Sequence, residues 1–251
     1  FSFFPAFVPP SNGGESRLFN FYNALSKWFE VILLTSTHPG GTEEVIHHGL
    51  GFIERRVPRD EFFLEQYSLL TKYSSGGDLS GPAIAACGKF PTRLHQAYLE
   101  EYEKADIIIH DSPFTVDYDL FINLDNKLRV YNSYNCETKL YRQLHDSEKS
   151  GLIHNIVYQA ELRMLGGSEL VLYCSQDDLV AFHNMLPEVN FEAVYTPNGM
   201  TPTIAQAVNA KNHEDRFSAV FMGSGHPPNV QAAKFIAQTL ALKLPEIDFD
   251  I

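Results

Sequence analysis

The fold is constrained most by the order in which four segments follow one another: strand, glycine loop, amphipathic helix, strand. Residues 1–4 (FSFF) read as a short apolar strand, and Pro5, Pro9, Pro10, Asn12, Gly13 and Gly14 mark a loop. Leu18, Phe21, Tyr22, Leu25, Trp28 and Phe29 then recur at helical spacing and predict a helix with one apolar face. Residues 31–35 (VILLT) form an unbroken apolar run, the pattern of a strand covered on both faces. Parallel strands need a crossover, and crossover helices cover both faces of their sheet. The order therefore predicts an α/β fold, a Rossmann-like doubly wound parallel sheet.

The same logic continues along the chain. Residues 52–57 read as a strand, 60–73 as a helix, 74–82 (SSGGDLSGP) as an open loop, and 83–105 as helical with an interruption near Pro91. Residues 106–110 (DIIIH) and 129–133 are further buried strands; helices over 137–149 and 152–165 lead to a strand at 169–174. Ser175 reads as a helix N-cap, with Asp177 and Asp178 in the first turn where carboxylates suit the helix dipole. A short strand at 193–196 ends at Pro197-Asn198-Gly199, and the polar stretch 209–216 reads as linker. A new strand (218–222), glycine loop (223–228) and helix from Asn229 follow, the helix carrying Val230, Ala233, Ile236, Ala237 and Leu240 on one face. The expected organisation is a first domain at 1–199, a linker at 200–217 and the start of a second domain at 218–251, too short to fold independently. The opening FSFF without Met and the strand-like alternation at 247–251 both read as cut ends.

Composition narrows the function classes. With 44% hydrophobic residues the chain can build a core and is not a disordered segment. A net charge of -12 without clustered Lys and Arg argues against nucleic acid as a partner. Cys87, Cys136 and Cys174 form neither a disulfide framework nor a zinc pattern, which suits a cytoplasmic setting. No apolar run approaches the roughly 20 residues of a membrane span. Any membrane association would be peripheral, as with a lipid acceptor.

Candidate chemistry gathers where ligands bind in open parallel sheets, beyond the carboxyl ends of the strands. Gly13 and Gly14 open the first helix there, and a helix N-terminus offers free N–H groups and positive dipole to an anion. A tight turn without ligand is the other reading of this pair. His110 and Asp111 end the DIIIH strand on the same edge, where a His could donate to a substrate oxygen and a carboxylate could orient a hydroxyl. A His satisfied by backbone is the alternative. Glu137 follows the next strand in NSYNCE and favours the dipole of its helix whether or not it meets a ligand. Gly223 and Ser224, in MGSGHPPN, repeat the strand–glycine loop–helix arrangement at the start of the second unit. No motif has metal-ligand spacing, since the adjacent His47 and His48 cannot share one helix face.

Four stretches in this order resemble the GT-B glycosyltransferases, and within them the large retaining family 4. They are PPSNGGESRLFNFYNALSKWFEVILLT, ADIIIHDSP, SELVLYCSQDDLVAF with VYTPNGM, and AVFMGSGHPPNVQAAKFIAQTLALKLPEIDF. The resemblance implies two Rossmann-like domains and transfer of a sugar, with retention, from a nucleoside-diphosphate sugar to a sugar, lipid or other hydroxyl acceptor. It implies no cofactor and no metal. By position, His110 would be catalytic, beside the transferred sugar, and Gly13, Gly14, Gly223 and Ser224 would be donor-binding. Asp111, Glu137 and Asn198 are candidates for an acceptor or structural role. Acceptor choice is expected in the loops at 74–82 and 114–125. The family's paired glutamates fall after Ile251, so efficient transfer by this chain alone is not expected. A GT-B-like nucleotide-sugar epimerase and a non-catalytic carbohydrate-binding, nucleotide-binding or scaffolding module are the competing readings.

Overall fold

The apolar runs become strands buried on both faces. In β1 (Val31–Thr37) Leu33 packs under α1 (Gly13–Leu25) with Leu18 and Tyr22. Its neighbour Leu34 faces the other way, into a cluster with Val57, Phe63, Leu79 and Tyr98. Alternation along a strand thus supplies two cores at once. The computed structural model describes residues 1–74, 76–124, 126–189, 191–199, 217–223 and 227–251. The chain divides into two units, Phe1–Met200 and Thr201–Ile251.

In the first unit, β1 pairs in parallel with β3 (Phe52–Pro58), whose other edge takes β2 (Glu44–Gly49) in antiparallel fashion. A parallel ladder joins β4 (Ile107–His110), β5 (Leu128–Asn132), β6 (Leu170–Tyr173) and β7 (Glu192–Tyr195). Residues 1 and 2 connect the two sets: Ser2 N donates to Leu34 O at 3.0 Å, Phe1 N donates to Ile109 O, and Asp111 N donates to Phe1 O at 2.9 Å. The order is therefore β2-β3-β1-(1–2)-β4-β5-β6-β7, a sheet that grows outward in both directions from its first segment. The expected α/β, Rossmann-like class is what the structure shows.

Helices α2 (Glu61–Thr71), α3 (Ser80–Cys87) and α4 (Arg93–Lys104) supply the cluster around Leu34. Helices α6 (Gly151–Gly167) and α7 (Gln176–Met185) pack Met164, Leu165 and Phe182 with Tyr131 and Val171. Asn12, Asp60, Thr92 and Ser175 each accept a first-turn N–H, as their chemistry favours. α5 (Glu137–Leu144) is capped differently, by Glu161 of α6, whose carboxylate accepts from Glu137 N at 2.8 Å and Thr138 N at 2.7 Å. In the second unit, β8 (Phe217–Val220), α8 (Pro227–Phe235), a π-helical turn (Ile236–Leu240), α9 (Ala241–Lys243) and β9 (Ile247–Asp250) form one βαβ unit with parallel strands. No described helix is long and apolar enough to cross a membrane.

Three expectations are corrected. α1 stops at Leu25, so Trp28 lies outside the apolar face assigned to it and is 83% exposed. The stretch expected as an acceptor loop at 114–125 begins with a turn of 3₁₀ helix, Pro113–Tyr118, whose six residues are all buried. Ser80–Pro82, read as loop, already belongs to α3.

Candidate functional site

The candidate site is the carboxyl edge of the first unit's sheet, where α1 begins. Asn12 Oδ1 accepts from Glu15 N at 3.0 Å, and Glu15 reaches back to Ser11 N and Oγ at 2.7 and 2.8 Å. The helix begins reciprocally capped. The helical bonds of α1 start with Ser16 N to Asn12 O at 2.9 Å, so the N–H groups of Gly13 and Gly14 precede them. Neither glycine has positive φ. A Cβ on Gly13 would meet nothing within 4 Å, and one on Gly14 would meet Asn12 Oδ1 at 3.5 Å and Phe4 at 3.8 Å, ordinary contacts. Backbone strain and packing therefore do not explain these glycines.

Beneath this turn lies a polar floor. Arg17, one turn into α1 and 3% exposed, donates through Nη1 to Thr196 O (2.7 Å) and Asn198 Oδ1 (3.3 Å). Its Nη2 donates to Asn132 Oδ1 (2.7 Å) and Ser133 O (3.3 Å), and the guanidinium lies over the Tyr134 ring. Asn132 Nδ2 donates to Asp111 Oδ1 at 2.7 Å, and Tyr22 OH donates to Asp111 Oδ2 at 2.8 Å. Burial pushes the Asp111 carboxyl up, while these donors and the Arg17 charge hold it down. The strand ends β4 and β5 thus join α1 through side chains that no single motif announces.

His110 stands one residue from Asp111 on the opposite face of the sheet. Its ring is fully buried beside Phe1 and Tyr98, with Nδ1 2.8 Å from Thr115 Oγ1 and Nε2 3.3 Å from Asp119 Oδ2. Asp119 also accepts from Arg129 Nε (3.0 Å) and Tyr98 OH (3.1 Å). A neutral ring satisfies both contacts as the Nε2–H tautomer, accepting at Nδ1 from Thr115. Burial pushes its pKa below the ordinary histidine value against the pull of Asp119. In the described arrangement the ring expected beside the transferred sugar has neither exposed surface nor an unoccupied nitrogen.

The other expected residues are scattered. Asn198 is exposed and joins the floor through Arg17. Glu137 is half-buried at the start of α5, its carboxyl pushed up to about 8 by burial and then by Glu161 and Asp178. Gly223, in the second unit, is a place of close approach, where a Cβ would come within 2.9 Å of Asn229 Cβ. Ser224 lies outside the described residues, as do residues 200–216 of the expected linker. Among the described residues no group of three His, Cys, Asp or Glu side chains is placed to hold a metal ion. Arg17 was not singled out from sequence, and Asn132 and Tyr134 only as part of the NSYNCE stretch. The available signal was a charged residue one turn after a glycine pair, facing the polar NSYN stretch.

No family model and no curated protein sequence matches the chain. Solved structures do. One is the E. coli trehalose-6-phosphate protein bound with UDP-2-fluoro glucose (TM-score 0.56, 10% identity, 99% of this chain and 63% of that one). Another is an α,α-trehalose-phosphate synthase (UDP-forming) from Burkholderia xenovorans in complex with glucose-6-phosphate (TM-score 0.51, 11% identity, 78% and 48%). A third is a sucrose-phosphate synthase from Thermosynechococcus elongatus (TM-score 0.52, 12% identity, 95% and 63%). The chain thus spans less than two thirds of the length of each of these structures. At such identities the likeness establishes the fold, that of GT-B Rossmann-like proteins.

Proposed function

We propose that the chain is the acceptor-side part of a GT-B glycosyltransferase that binds a nucleoside-diphosphate sugar and passes the sugar to a hydroxyl acceptor. The reading rests on one observation: the amino terminus of α1 opens at the carboxyl edge of the sheet with two glycines that neither strain nor packing requires. Developing charge on a diphosphate leaving group is the kind of charge such a terminus stabilises. The structural neighbours support a UDP-sugar donor and a sugar-phosphate acceptor, and the sequence resemblance to retaining family 4 supports transfer with retention. Asp111, 2% exposed and held by Tyr22 and Asn132, takes the structural part of the acceptor or structural role in this reading.

Binding, rather than turnover, is the property to measure on this chain. UDP-glucose titrated calorimetrically should bind saturably. Gly13→Val should weaken it by at least about tenfold, about 1.4 kcal/mol. The melting temperature should stay within roughly 2 °C, since a β-branched residue in the first helical turn costs only a few tenths of a kcal/mol. No saturable binding across UDP-, GDP- and ADP-sugars, or unchanged affinity in Gly13→Val, overturns the reading.

A further inference from the structure

We propose that Arg17 is a positioning residue that ties occupancy of the α1 amino terminus to the Thr196–Gly199 segment, the last described stretch of the first unit. The inference rests on the reading of that terminus as the nucleotide-sugar site. The segment leaves β7 after one ladder bond, Thr196 N to Tyr173 O at 2.8 Å. Side chains of α1 then hold it: Arg17 Nη1 on Thr196 O and Asn198 Oδ1, and Asn20 Nδ2 on Gly199 O at 3.2 Å. The same guanidinium holds the floor through Asn132 and Ser133. One buried cation therefore joins three parts of the fold: the helix that carries Gly13 and Gly14, the end of β5, and the departing chain.

The electrostatics make this connection responsive. Among the described residues no carboxylate lies within ion-pair distance of Arg17; its four bonds go to neutral oxygens, and Nε is buried without a partner. Asp111 meets this charge only across Asn132, so the buried cation is incompletely compensated. An anion at the helix terminus one turn away adds the missing negative charge, and it does so only while Arg17 stays docked beneath that terminus. The ligand then has higher affinity for the docked state, which is the condition for coupling.

Cys174 supplies the readout, because its Sγ lies 3.3 Å from Ser133 O and 3.9 Å from Asn198 Oδ1, while Cys87 and Cys136 are buried in the core and report unfolding. Iodoacetamide labelling of each thiol would be followed by mass spectrometry with and without UDP-glucose. In the unaltered chain, saturating ligand should slow Cys174 labelling about threefold or more, within the usual range of coupling between sites. In Arg17→Met, Cys174 should label about tenfold faster without ligand, as expected when a local contact opens, while Cys87 and Cys136 keep their rates. UDP-glucose at saturation for that variant should no longer slow it. Slowing that persists in Arg17→Met shows direct shielding by the ligand and overturns the coupling; an unchanged basal rate overturns the latch. Should Arg17→Met unfold, seen as labelling of Cys87 and Cys136, the Asn20→Ala/Asn198→Ala double variant is judged by the same two rates. Failure of UDP-glucose to bind the unaltered chain removes the site reading and the coupling with it. The latch between α1 and the segment would then still be judged by the basal rate alone.

Discussion

Replacing His110 separates a structural ring from one that meets a ligand. In His110→Ala the fully buried ring is lost with its contacts to Thr115 at 2.8 Å and Asp119 at 3.3 Å. Neither partner is orphaned: without the ring the Thr115 hydroxyl proton can turn to Ser112 O at 3.0 Å, and Asp119 keeps Arg129, Tyr98 and Leu120 N. The two lost bonds are worth about 1 kcal/mol each. A large-to-small change in a closed core adds roughly 2 kcal/mol for lost contacts and residual cavity. The sum, about 4 kcal/mol, corresponds to a fall of roughly 8–16 °C in melting temperature for a unit of this size. Thermal unfolding followed by circular dichroism at pH 8 gives the number. The pH dependence gives its sign. The folded pKa of His110 is lowered by burial, so between it and the unfolded value near 6.5 the unfolded chain binds more protons. The unaltered chain loses stability through that window on acidification and His110→Ala does not, so their difference should shrink below about pH 6.5. A melting temperature within roughly 2 °C of the unaltered chain, with UDP-glucose affinity reduced, would refute the placement of the ring.

Two other carboxylates give contrasting predictions. Glu161→Ala removes the acceptor for Glu137 N and Thr138 N and should cost about 3 kcal/mol, with the first turn of α5 losing amide protection in hydrogen exchange. Glu137→Gln should instead stabilise the chain. Its folded pKa of about 8 is raised, so its contribution is fully present below the unfolded value near 4.3 and is lost as pH rises towards 8. The advantage of the Gln variant should therefore grow across that range in thermal melts and level off above it; an advantage independent of pH would contradict the assignment.

What could be read from the sequence depended on whether the deciding physics was local. The runs 31–35 and 106–110 announce β1 and β4, because a strand covered on both faces needs apolar residues at every position. Ser175 with Asp177 and Asp178 announces the start of α7, because capping involves residues three apart, and Ser175 does accept from Asp178 N. β2 is silent: EVIHHG is largely exposed, and its pairing with β3 comes from a hairpin and from His48 reaching Glu54 at 2.8 Å. The burial of Pro113–Tyr118 is silent too, because Phe114 and Tyr118 find their partners on α3, α4 and α5. At the candidate site, the start of α1 at the glycine pair was legible, but which of His110 and Asp111 lies toward it was not. Neighbours on a strand point to opposite faces, and only the packing of Tyr98 against one and Tyr22 against the other decides which lies toward α1.

That division bears on why the floor is polar at all. Asp111, Asn132 and Arg17 link a buried carboxylate to a buried guanidinium through an amide, with no direct ion pair between them. For stability alone such an arrangement is poor value, since apolar side chains of similar volume commonly do as well or better. What it does provide is direction. Asn132 can satisfy Arg17 with its oxygen and Asp111 with its nitrogen in one orientation only, and Tyr22 closes the other carboxylate oxygen from α1 itself. A sideways or rotational shift of α1 would break several of these bonds together, leaving charges buried and unpaired. An apolar contact between α1 and the sheet would tolerate such a shift at little cost. On the proposed reading, the N–H groups of Gly13 and Gly14 serve a phosphate only if they point to one place, so a network that penalises helix movement would belong to the proposed site as much as the glycines do.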